Sequence, residues 1–102
     1  MIHVIATVQV QPGRRTDFLK EFQQVVPLVL QESGCIEYVP TIDAATEIPA
    51  QGDLRENVVV IIEKWASLDA LEDHLIAPHM LEYRKRVKEM VAGSSIQVLE
   101  PA

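Results

Sequence analysis

A chain of 102 residues, 48% hydrophobic and 24% charged, has room for one core and is too apolar for disorder. Its net charge of −6 and pI of about 4.9 exclude the basic footprint that nucleic acid or an anionic membrane requires. Cys35 is the only cysteine, no apolar stretch approaches the roughly 20 residues of a membrane span, and Met1–Ala6 has no basic leader, so a cytoplasmic location is expected.

Ile2, Val4, Ala6, Val8 and Val10 alternate with His3, Ile5, Thr7 and Gln9, which predicts a first strand over Ile2–Val10. Pro12-Gly13 marks a turn. Thr16 or Asp17 is expected to cap a helix on which Phe18, Leu19, Phe22, Val25, Val26, Val29 and Leu30 form one apolar face. Pro27 is expected to kink that helix and Ser33-Gly34 to end it. Cys35–Ile42 predicts a second strand. Asp43–Asn57, polar and holding Pro49 and Gly52, predicts a loop of a length that is often functional. Val58–Trp65 predicts a third strand. Ser67 is placed to cap a short helix, and Pro78 separates it from a helix over His79–Val91. Gly93 is expected to close that helix, and Ser95–Glu100 predicts the last strand.

The order β-α-β-β-α-β, its second helix broken in two, predicts a ferredoxin-like α+β sandwich over residues 1–102, with helices on one face of an antiparallel sheet. The third strand adds an expectation about assembly. Val58, Val60 and Ile62 point one way, and Val59, Ile61 and Trp65 the other, so both faces are apolar. Helices cover one face only, and a second copy of the chain is the economical cover for the other. A homodimer packed sheet to sheet is expected.

Gly13, Gly34, Gly52 and Gly93 are isolated, and there is no G-x-G-x-x-G or P-loop, so no nucleotide, nicotinamide or flavin cofactor is expected. His74 and His79 stand five apart across Pro78, a spacing that does not make an i, i+4 ligand pair, so no metal is expected. His3 reads as a surface residue. His74 follows Leu68 and Leu71 and precedes Leu75, at the edge of the buried stripe. Two roles fit it: a core-edge histidine bonded to a backbone carbonyl, or a base facing a cavity. Trp65 is a large core residue or one wall for a flat ligand. Tyr38, on the second strand, is a candidate for orienting a ligand oxygen. Glu63 alternates with apolar neighbours and, if it points inward, needs a partner or a raised pKa. Cys35, Tyr83, Met80 and Met90 read as packing.

The run Glu63-x-Trp65 to His74, then Pro78-His79-Met80, stands in order with Met1–Pro12, Val26-Pro27-Leu28-Val29-Leu30, Gly34-Cys35-Ile36-Glu37-Tyr38 and the loop after Asp43. Together these resemble the antibiotic biosynthesis monooxygenase domain, and within it the small bacterial quinol monooxygenases. The resemblance covers nearly the whole chain. It implies a dimeric α/β barrel of two ferredoxin-like protomers and a pocket between each sheet and its helices. It also implies oxidation of small quinols or polyphenols by O2 with no metal or flavin. Relatives include haem-degrading enzymes and an isomerase, so fold alone does not fix chemistry. The haem-degrading branch carries an Asn on the first strand, about where Thr7 stands here, which argues against haem. The expectation is a cofactor-independent monooxygenase or oxidase with His74 as base or proton relay, Trp65 as a wall of the substrate pocket, Tyr38 as an orienting hydroxyl and His79 as a further candidate at a helix start. The alternatives are an isomerase on the same fold and a non-catalytic dimeric binding module.

Overall fold

A computed structural model describes all of residues 1–102. Period-two alternation builds four strands, β1 (Ile2–Val10), β2 (Cys35–Thr41), β3 (Val58–Trp65) and β4 (Val91–Leu99). Three helices lie between them: α1 (Arg15–Leu30), α2 (Leu68–Leu75) and α3 (Pro78–Val87). Every strand pairing is antiparallel and the spatial order is β2-β3-β1-β4, the ferredoxin-like arrangement. No helix is long and apolar enough to cross a membrane.

The helix ends follow local chemistry, with two corrections. α1 starts at Arg15, before the expected Thr16 or Asp17 cap, and no side chain caps it. Asp17 lies in its first turn, where negative charge suits the helix dipole, and accepts from Arg14 Nε at 3.2 Å. The helix is continuous through Pro27. Gly34, at φ +85°, then turns the chain into β2. A Cβ there would stand 2.6 Å from that of Ala70, so the absent side chain is what lets this turn sit on α2. Ser67 caps α2 as expected, its Oγ accepting from the Ala70 N–H at 3.1 Å, an arrangement worth about 1 kcal/mol.

The C-terminal segment departs from expectation as well. α3 ends at Val87, four residues before the expected Val91, and Gly93 lies inside β4 opposite Gln9. The cause is competition for the backbone. The Gln11 N–H donates to the Met90 carbonyl at 2.8 Å and Val91 pairs with Val10, so the sheet takes the chain where helical periodicity alone would continue.

The core fills the space between the sheet and the helices. Phe18, Phe22, Val25 and Val29 of α1 are buried against Val4, Val8 and Val10 of β1 and Val59, Ile61 and Trp65 of β3. Each such side chain stabilises the fold by roughly 1.5–3 kcal/mol. Phe22 stacks on Tyr38 (5.4 Å, 16°) and meets Tyr83 edge-on (5.6 Å, 81°), so Phe22→Ala, at roughly 3–5 kcal/mol, would loosen the sheet from its helices.

A bulge in β2 matters for the site. Cys35 pairs with Trp65, yet Glu37 pairs with Lys64, which leaves Ile36 as the extra residue. Simple alternation from Cys35 would turn Tyr38 away from the helices. The extra residue restores it to the inner face, opposite Glu63. The other face of the sheet carries Ile5, Val39, Val58, Val60 and Ile62, and no element of this chain covers it.

Candidate active site

Alternation along β3 sets the inner wall. Val59, Ile61, Glu63 and Trp65 are all buried, so the carboxyl of Glu63 and the indole of Trp65 share the face beneath the helices. The Trp65 Nε1–H donates to Glu63 Oε1 at 3.0 Å. α2 then lays His74 on the indole. The rings are 4.6 Å apart and tilted by 36°, and Tyr38 meets the same imidazole at 5.2 Å and 68°.

Glu32 completes the cluster. It lies in the turn after α1, and its Oε2 is 2.9 Å from His74 Nδ1 and 2.7 Å from His79 Nε2. A carboxylate oxygen accepts, so both ring nitrogens are the donors. That fixes the His74 tautomer: Nδ1 carries the hydrogen and Nε2 keeps the lone pair. Burial pushes the His74 pKa down, outweighing the opposing pull of Glu32, so the ring is neutral near pH 7. The cluster is thus a neutral imidazole held from behind by a carboxylate that a second imidazole also holds.

His74, Tyr38 and Glu63 open onto a cavity of about 260 Å³ with Phe22, Ile61, Met80, Leu75 and Tyr83, while Arg84, Ser94, Ser95 and Ile96 bring α3 and the β4 edge to it. Most of the lining is apolar, as small-molecule sites are. Burial raises the Tyr38 pKa well beyond its ordinary value, so its hydroxyl donates rather than acts as a base. Burial also pushes the Glu63 carboxyl up to about 7, against the lowering effect of the Trp65 hydrogen bond.

Of the four residues singled out from the sequence, His74 and Tyr38 lie on the cavity wall. Trp65 is fully buried behind them, in contact with His74 and Glu63. His79 is on the outer side and touches Glu32. Met80 and Tyr83, read as packing, line the cavity as well. Glu32 does not stand out in the sequence, although it carries a signal: an acid just past a helix C-terminus opposes the dipole and needs a local reason. No group of three His, Cys, Asp or Glu side chains is arranged to hold a metal ion; the two histidines and Glu32 converge as donors and acceptor. The loop after Asp43 stands apart from this site, closed on itself by Arg55, which donates to both Asp43 oxygens at 2.8 and 2.9 Å.

The family model for antibiotic biosynthesis monooxygenases matches residues 1–86, a span that holds Glu32, Tyr38, Glu63, Trp65, His74 and His79. The chain is 39% identical over 103 aligned residues to "Probable quinol monooxygenase YgiN" of Escherichia coli K12, covering 99% of this chain and 98% of that one. A solved structure from Caulobacter crescentus CB15 has a TM-score of 0.82 at 28% identity, over 99% of this chain and 89% of that one. Another from Mycobacterium tuberculosis has a TM-score of 0.80 at 25% identity, over 99% and 94%.

Proposed function

Given that this chain belongs to the antibiotic biosynthesis monooxygenase family, we propose that it oxidises a small quinol or polyphenol with O2 and without metal or flavin. One observation carries the reading. A neutral imidazole, its Nδ1–H tied to Glu32, borders a mainly apolar cavity that also holds a tyrosine hydroxyl. A hydroquinone is electron-rich already, and loss of a proton makes electron transfer to O2 easier. The protein then has to supply a base, a donor to orient the ring and a space with little water.

His74 Nε2 takes the proton of a quinol hydroxyl, and the imidazolium that forms is stabilised through Nδ1–H by Glu32. Tyr38 donates to a substrate oxygen and sets the ring's orientation. Trp65 and His79 act at one remove: the indole backs the imidazole, and His79 holds Glu32. Oxygen uptake with menadiol as probe, measured against a protein-free blank, tests this. Enzyme-dependent uptake supports it. A substrate isomer formed with no uptake would replace it by the isomerase reading, and neither outcome by the binding-module reading.

We infer a homodimer through the open sheet face. Ile5, Val39, Val58, Val60 and Ile62 form an apolar surface there that one chain leaves uncovered. Light scattering at micromolar concentration should then give twice the 11.4 kDa of one chain.

A further inference from the structure

Glu63 has no part in that scheme, yet it is the least accessible charged side chain near the cavity, at 4% exposure. β3 turns it inward among Val59, Ile61 and Trp65, where an apolar residue of similar size would pack without having to desolvate a carboxyl. The Trp65 N–H supplies its one hydrogen bond, and the cavity is what the rest of the carboxyl group faces. So two proton-accepting groups border one small space, one against the face of the indole and the other at its N–H edge.

We propose that Glu63 is a second catalytic proton acceptor in this cavity, taking the proton of the quinol hydroxyl that His74 does not reach. The inference rests on the quinol reading. A quinol QH2 becomes a quinone by losing two protons and two electrons, and one base removes only one of those protons. With two acceptors, both O–H bonds break heterolytically. One proton goes to His74 Nε2, the other to the Glu63 carboxylate, and both electron pairs stay on the substrate. Two electrons then pass to O2. If the oxygen leaves as peroxide, the stored protons go with it, as QH2 + O2 → Q + H2O2. If one oxygen atom is inserted into the ring, the balance is QH2 + O2 → QO + H2O.

The surroundings suit an acceptor that exchanges its proton near neutrality. Desolvation raises the Glu63 pKa most, the Trp65 hydrogen bond lowers it, and Glu32 raises it further. β2 presents Tyr38 and Cys35, both of which feel the Glu63 charge, α2 presents His74, and α3 presents Tyr83 and Arg84 at the same cavity. β1 and β4 add only the uncharged Ala6, Val8, Ser94, Ser95 and Ile96.

The test is menadiol-dependent oxygen uptake from pH 5 to 9 in the wild type, Glu63→Gln, Glu63→Asp and His74→Ala, each against its own blank. Gln keeps the acceptor for Trp65 and nearly the same volume, but takes no proton. The expected result is a kcat lowered roughly tenfold or more with KM within about twofold, and loss of the limb of the kcat/KM profile centred near 7. Glu63→Asp should keep that limb at a reduced rate, and it decides the matter if the Gln variant does not fold. Wild-type kcat and an unchanged profile in Glu63→Gln, alongside an inactive His74→Ala, would overturn the role of Glu63 and leave the quinol reading standing. No enzyme-dependent uptake by the wild type would overturn both.

Discussion

Glu32 and Glu63 flank the same His74–Trp65 pair and are held in contrasting ways. Glu32 lies in a turn, its side chain 13% exposed, and accepts from two imidazoles through one oxygen. Glu63 sits in mid-sheet, nearly sealed from water, and accepts from one neutral indole. The number of donors and the access of water set what each carboxyl can do. The first is placed to stabilise positive charge on His74. The second, poorly solvated and thinly bonded, is placed to gain and lose a proton. Two glutamates 31 positions apart in sequence thus serve one imidazole from its outer side and one cavity from within.

The largest effect that can break this contrast belongs to the group between them. His74→Ala should cut enzyme-dependent menadiol oxidation by roughly a hundredfold or more, the scale of a lost general base. His74→Gln should do the same, because it keeps bulk and hydrogen bonding but accepts no proton near neutral pH. Full activity in both variants, with unchanged melting, would return His74 to a structural role.

Glu32→Ala comes next. If His74 is the base, losing its carboxylate partner should lower kcat roughly tenfold to a hundredfold, with KM little changed. Glu32→Gln keeps an acceptor for Nδ1–H and should recover part of the rate. Equal kcat in Glu32→Ala and the wild type would mean that the imidazole needs no support from that side.

Glu63 also makes the stability of the fold depend on pH. Its folded carboxyl is raised from 4.5 to about 7, so between these pH values the folded state binds more protons than the unfolded one. Stability from this group is therefore lost as pH rises through that window, by up to about 3 kcal/mol. Glu63→Gln removes the titration. Its melting temperature relative to the wild type should climb by several degrees between pH 5 and pH 8. A constant difference across that range would show that burial does not raise the Glu63 carboxyl, which removes the contrast.

His79→Ala should have the smallest effect, a loss of severalfold in kcat with normal melting, because Glu32 keeps its bond to His74. A loss as large as that of His74→Ala would move His79 from a support to a required member of the chemistry.

How far the site is legible in the sequence follows from how local its causes are. Strand alternation is local, and it is enough to turn Glu63 and Trp65 onto one face of β3. The Ser67 cap is local and stands where expected. The pairing of Val91 with Val10 joins residues 81 positions apart, and helical periodicity near Val91 carries no trace of it. The inward turn of Tyr38 depends on a bulge at Ile36 that alternation does not signal. The convergence of His79 and His74 on Glu32 is likewise a tertiary event. Spacing across Pro78 separates the two histidines along the helices, and only the turn after α1 brings them a common partner.

Trp65 is the only tryptophan in the chain, and it touches both groups assigned to move protons, through its N–H at Glu63 and its ring face at His74. The molecule therefore carries its own unlabelled optical probe. Indole emission should respond when either neighbour changes charge and when a ligand displaces water from the cavity beside them. Proton arrival and substrate arrival thereby become separable by stopped-flow mixing on one native chromophore.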